Sequence, residues 1–184
     1  MAKKYYQKIY KLFLEDQKDH SVVVEQYKTE KDWEDLAKRD KNRQEEIISI
    51  LKNKLVSLTG EDYFMAAMIF QHGATMTDSK RAIALAKKGI KLGSEKSKWL
   101  YASAVDRFLM RQKKKQKFGT QYVKKGRNGK WSLYPVDSNT SDKERAKYNI
   151  ISLKQAKSKA ENWNKKSINP WQERRKTVGI TSIK

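Results

Sequence analysis

Apolar residues recur at helical spacing along most of the chain. Tyr6, Ile9, Tyr10 and Phe13 fall at i, i+3, i+4 and i+7, with Leu12 and Leu14 beside them, and predict an amphipathic helix over 2–14. Glu15, Asp16, Gln17, Asp19 and His20 read as its polar end, and Ser21 to Val24 as a turn or extended link. Trp33, Leu36, Ile47, Ile48, Leu51 and Leu55 mark a second helix over 30–55, with a break or exposed turn in the charged stretch Lys38 to Glu46. Thr59-Gly60-Glu61-Asp62 reads as a third helix start, acids favouring the N-terminal end of the dipole. Tyr63 to Phe70 is wholly apolar, so this helix is expected to be central, ending at Gly73. Thr77 or Asp78 caps a helix over 78–92 whose apolar positions are Ile83, Ala84, Leu85, Ile90 and Leu92. Gly93 ends it, and Ser94 with Glu95 opens another, striped by Leu100, Ala104, Val105, Phe108 and Leu109. Short helices joined by tight turns imply an antiparallel bundle.

The period changes after Lys113. Gly119 to Lys125, Arg127-Asn128-Gly129 and Trp131 to Val136 read as a β-hairpin about an Asn-Gly turn. A short helix is expected near 142–149, and Ser152 caps a last one reaching about Lys165. The expected fold is therefore mainly α, an antiparallel bundle of five to seven helices with a small hairpin near 119–136. Residues 1–166 are expected to form one domain and 167–184 a basic, mobile tail.

Charge adds a second pattern. The 184 residues carry 42 Lys or Arg against 21 Asp or Glu, a net +21. Residues 1–62 hold 13 of each sign, so the whole excess lies in 63–184, densest between Arg107 and Lys130 with ten basic and no acidic residues. Such asymmetry suggests an anionic partner, whether nucleic acid, nucleotide or acidic protein, and competes with a simple Lys-rich bias. The chain has no Cys, which excludes disulfides, thiolate-bound zinc, iron–sulfur chemistry and a cysteine nucleophile. The longest apolar run, eight residues, is far short of the ~20 of a spanning helix. Lysines interrupt the N-terminal apolar stretch, so no secretory signal is read, and a cytoplasmic protein is expected.

No phosphate-binding Gly-rich loop, HExxH or GxSxG is present, and two His are too few for a His-rich metal site. No metal ligands or cofactor are assigned, though a carboxylate-plus-His set stays open. What stands out is polar pairs beside apolar helices: Gln71-His72, Asp106-Arg107 and, past a basic link, Gly119-Thr120-Gln121. His72 suits a general base or acid oriented by Asp106 or Asp16, or else a plain helix cap. Arg107 suits a phosphate or carboxylate clamp, or else a structural pair with Asp106. Thr120 and Gln121 can present donors to a ligand or satisfy buried helix ends.

These pairs, with Asp16-Gln17, Asp40-Lys41-Asn42 and the series Pro135, Asp142, Arg145, resemble an uncharacterised bacterial domain family. Its signature is Gln-His, Asp-Arg and Tyr/Phe-Gly-Thr-Gln, and the resemblance spans about 10–155. Where the family has Arg after Asp-Gln, this chain has Lys18-Asp19-His20; where it has an acid after Gln-His, this chain has Gly73-Ala74. The resemblance implies a site that adds Asp16 and Gln17 to Gln71, His72, Asp106, Arg107, Thr120 and Gln121. It implies no particular activity.

Three functions follow. The first is a pocket binding, hydrolysing or transferring an anionic, phosphate-bearing small ligand or nucleotide. His72 and Asp106 would be catalytic there, and Gln71, Arg107, Thr120, Gln121, Asp16 and Gln17 would bind substrate. The second is a nucleic-acid-binding accessory protein using Arg111, Lys113, Lys114, Lys115, Lys117, Lys124, Lys125, Arg127 and Lys130, with aromatics available for stacking. The third is an interaction or inhibitor module for an acidic protein, of a kind suited to phage or mobile elements.

Overall fold

A computed structural model describes residues 2–21, 27, 29–53, 57–124, 126, 129–167 and 170, with side chains from Tyr5 onward. Its order is α1 (Ala2–Ser21), α2 (Glu30–Lys52), α3 (Gly60–His72), α4 (Met76–Lys91), α5 (Glu95–Arg111), β1 (Tyr122–Lys124), β2 (Trp131–Leu133), α6 (Asp142–Lys147) and α7 (Leu153–Lys165). Seven helices among the described residues and one antiparallel two-stranded sheet make the fold mainly α.

Local chemistry sets the boundaries. Thr29, Thr59 and Thr75 each accept from the backbone N–H of an Asp three residues on, and that Asp accepts from the cap's own N–H. Ser152 does the same with Gln155. Each box satisfies two orphan donors at a helix start and contributes about 1 kcal/mol. The helix expected from 78 therefore begins at Met76, because Asp78 is the inner arm of the Thr75 box rather than the cap. α1 runs seven residues past the expected end at 14, and α2 shows no break at 38–46. In both places some of the residues read as interruptions, Asp19 and His20 on α1 and Arg39, Asp40 and Arg43 on α2, find partners across the two helices.

α3 is the axis of the core. Every residue from Phe64 to Gln71 is buried. Around it pack Ile9, Leu12 and Phe13 of α1, Ile47 and Ile50 of α2, Ala82, Leu85 and Ala86 of α4, and Leu100 and Ala104 of α5. Three-residue turns, 73–75 and 92–94, fold α3, α4 and α5 on one another. Gly73 ends α3 as expected, but with φ −57° and hence no left-handed turn. It is glycine for space: a Cβ there would lie 2.5 Å from Gln44 Nε2 and 2.6 Å from Asp78.

Phe118 and Ile150 join Ala102 of α5 in a smaller second core, flanked by Tyr101 and Tyr148. The hairpin pairs Tyr122 with Leu133 and Lys124 with Trp131, and rests on α7 through ring contacts of Tyr122 and Trp131 with Trp163. Asn164 of α7 also grips β2 at both its N–H and its carbonyl, at 2.8 and 2.9 Å. Trp33, expected in or beside the core, is exposed and leans on Tyr27. Of the expected tail only Ser167 and Pro170 lie within the described residues, and the hairpin-turn residues Lys125, Arg127 and Asn128 lie outside them.

Candidate functional site

The inward stripe of each of four helices changes from apolar to polar, and the polar ends meet. On α1 the stripe Ile9, Leu12, Phe13 continues as buried Asp16, with His20 one turn further. On α2, Asp40, Arg43 and Gln44 interrupt the buried run between Leu36 and Ile47. α3 ends in Gln71 and His72, and α5 carries Ser103 and Asp106.

Two hydrogen-bonded networks result, touching at Gln71 and His72. In the first, Asp16 Oδ2 accepts from Gln17 Nε2 and contacts His72 Nδ1, both at 2.8 Å. The rings of His72 and His20 stack with centroids 4.0 Å apart. His20 Nε2 lies 3.0 and 3.2 Å from the two oxygens of Asp40. Arg43 donates to Asp40 at 2.6 Å and to Asp19 at 2.7 Å, and Arg39 donates to Asp19 at 2.9 Å. Burial pushes the carboxyls of Asp19 and Asp40 up, but the facing cations and hydrogen bonds prevail and hold both below the usual range. Burial also lowers the proton affinity of His72 despite Asp16, so its ring is neutral near pH 7. Asp16 Oδ1, Arg43 Nε and Gln71 Oε1 are buried with no hydrogen-bond partner among the described residues.

The second network is closed on itself. Asp106 accepts from the backbone N–H groups of Lys117, Phe118 and Thr120 and from the Thr120 hydroxyl, at 2.7 to 2.9 Å. Gln121 Nε2 donates to Thr120 Oγ1 at 2.9 Å and to Ser103 Oγ at 3.0 Å, and Gln71 Nε2 donates to that same hydroxyl at 3.2 Å. Gly119, at φ +83°, turns the chain so that these donors converge on one carboxylate. Burial raises the Asp106 carboxyl even against its four donors.

The expected constellation is thus brought into contact, with its roles redistributed. The carboxylate that holds His72 is Asp16, not Asp106, whose oxygens are committed to the 117–120 loop. His72 does not cap its helix: Arg107 donates to Gln71 O at 2.6 Å, while Arg111 reaches the carbonyls of Gly73 and Thr75. Arg111 is therefore a capping residue rather than part of an open basic face, and Lys117 pairs with Glu144 at 2.7 Å. Lys113, Lys114, Lys115, Lys124 and Lys130 are exposed. Thr120 and Gln121 face the interior network. The sequence reading left out His20 and Arg43 and noted Asp40 only as a motif. The readable signal was the four-residue Asp16–His20 spacing, visible once α1 is carried to Ser21.

Comparison with protein-family models, curated proteins and solved structures finds no match for this chain.

Proposed function

We propose that the chain is a small-ligand protein of the hydrolase or transferase kind, taking an anionic, phosphate-bearing ligand at the Asp16–His72 end of the bundle. The observation that carries this reading is the 2.8 Å contact between His72 Nδ1 and the wholly buried carboxylate of Asp16. A carboxylate so placed puts the imidazole N–H on Nδ1 and leaves Nε2 with its lone pair. A water or hydroxyl group brought to that edge is activated for attack on an electrophilic centre such as phosphorus. The charge of Arg107 reaches His72, and the molecule's net +21 draws anions toward it. In this reading Asp106, Thr120, Gln121 and Ser103 are scaffold, fixing α3 against α5 so that His72 keeps its place.

The test is a panel of nucleotides and sugar phosphates, scored for binding and turnover with the full chain, His72→Gln and Asp16→Asn. The wild type is expected to take at least one compound. Both variants should lose turnover by ~100-fold or more while folding normally by circular dichroism. A panel without a hit, or a hit indifferent to both substitutions, rejects the reading.

A second reading, nucleic-acid binding, is favoured by one observation: Lys113, Lys114, Lys115, Lys124 and Lys130 are exposed, with no acidic partner among the described residues. It requires log affinity to fall linearly with log salt, and charge reversal at Lys113 to Lys115 to outweigh His72→Gln.

A further inference from the structure

We propose that Asp16, His20 and His72 bind one divalent transition-metal ion. The proposal rests on the reading above that this end of the bundle is the reactive site, and it names the cofactor that would work there.

Three observations support it. First, one ligand atom from each of the three residues lies within 4.8 Å of the other two. Bonds of about 2.0–2.2 Å place neighbouring ligands of a tetrahedral ion about 3.4 Å apart, so modest side-chain rotation closes the set. Second, Asp16 is wholly buried, yet its Oδ1 has no hydrogen-bond partner among the described residues. His20 Nε2 lies 3.8 Å from it, beyond hydrogen-bonding range. A buried carboxylate oxygen without a donor is costly, and a cation removes that cost. Arg43 gives Oδ1 no hydrogen bond: Nη1 donates to Asp19 and Nη2 to Asp40.

Third, the surroundings of the His20 ring are those of a metal ligand. His20 has one nitrogen on Asp40, a carboxylate outside the set, and the other without a hydrogen bond among the described residues, while His72 turns Nδ1 to Asp16 itself. Asp40 is in turn fixed by Arg43. Carboxylates behind ligating imidazoles fix the ring and raise its basicity. Two imidazole nitrogens with one carboxylate suit Zn2+, Mn2+, Fe2+ or Co2+ rather than Mg2+ or Ca2+, which prefer all-oxygen sets. Three protein ligands leave a position for water, whose pKa such an ion lowers from about 15.7 toward 7. That water takes over the activating role from the His72 lone pair.

The experiment uses the full, tag-free chain, stripped with chelator and titrated with Co2+ by calorimetry and visible absorption. Wild type is expected to bind one Co2+ per chain and to develop ligand-field bands. His20→Ala and Asp16→Asn should abolish stoichiometric binding, and Asp40→Asn should weaken it roughly 10- to 100-fold. Should Asp16→Asn fail to fold, His20→Ala decides alone, because that ring is partly exposed and lies at the end of α1. No stoichiometric binding to wild type, or binding that survives His20→Ala, overturns the proposal. The phosphate-ester panel run on metal-free and loaded protein separates the two ideas. Turnover by stripped protein with no Co2+ uptake sinks the metal and keeps the functional reading. One Co2+ per chain with no phosphate compound bound keeps the metal and sinks that reading.

Discussion

Two buried aspartates, alike in type and burial, are used in opposite ways. Asp106 is saturated, each oxygen accepting two bonds from the 117–120 loop. Asp16 spends only Oδ2, and Oδ1 has no hydrogen bond among the described residues. The first is the pattern of a structural staple, the second that of a carboxylate awaiting a cation. Replacing Asp106 with Ala would strip three backbone N–H groups and a hydroxyl of their acceptor. A loss of about 3 kcal/mol or more is expected in urea unfolding, since each orphaned buried donor costs about 1–3 kcal/mol. Unchanged stability would show that the loop is held by something else. The sequence made Asp16, His72 and Asp106 visible as candidates but could not say which carboxylate faces the imidazole. That choice is made by the crossing of α1 over α3, 56 residues apart in the chain. His20 drew no site role because polar residues after Leu14 read as a helix end, when they continue the inward stripe.

The helix starts were legible at three of the four capping boxes, the exception being α4, where Asp78 is the inner arm of the Thr75 box. Thr59 with Asp62 and Ser152 with Gln155 are local devices, and α3 and α7 begin where they indicate. α2 was harder, because Lys38 to Glu46 looks solvated; Asp40 and Arg43 are buried there only because α1 supplies Asp19 and His20. The hairpin was legible from its Asn-Gly turn signal, but its seat on α7 was not. Tyr122 reports that seat. Its hydroxyl donates to Ala156 O at 3.1 Å, and burial pushes its pKa from 10.0 up to about 12. The folded state holds this proton more tightly than the unfolded chain does. The associated stability is therefore fully present below pH 10 and is lost as pH rises through 12. Absorbance at ~295 nm should show a late phenol whose ionisation coincides with unfolding of the hairpin and α7. Tyr122→Phe should remove that phase, and a Tyr122 titrating near pH 10 would mean the ring is not packed on Trp163.

At the scale of the whole molecule, charge and fold divide the chain differently. The balanced first 62 residues spend many of their acids within α1 and α2 or at helix caps, on Asp19, Asp40, Asp32 and Asp62. The remaining 122 residues carry the full +21, a self-repulsion that favours expansion. Added salt should stabilise the protein: the melting temperature is expected to rise between about 10 and 100 mM NaCl, as the screening length falls from ~30 to ~10 Å. A fall would mean that exposed ion pairs such as Lys96–Glu61 outweigh the repulsion. The grip of Asn164 on Trp131 has a consequence between molecules. A two-stranded sheet normally offers its outer strand as a template for further strands, the usual opening for edge-to-edge aggregation. Here a single side-chain amide occupies the Trp131 N–H and carbonyl on β2, so one carboxamide stands where a third strand would begin.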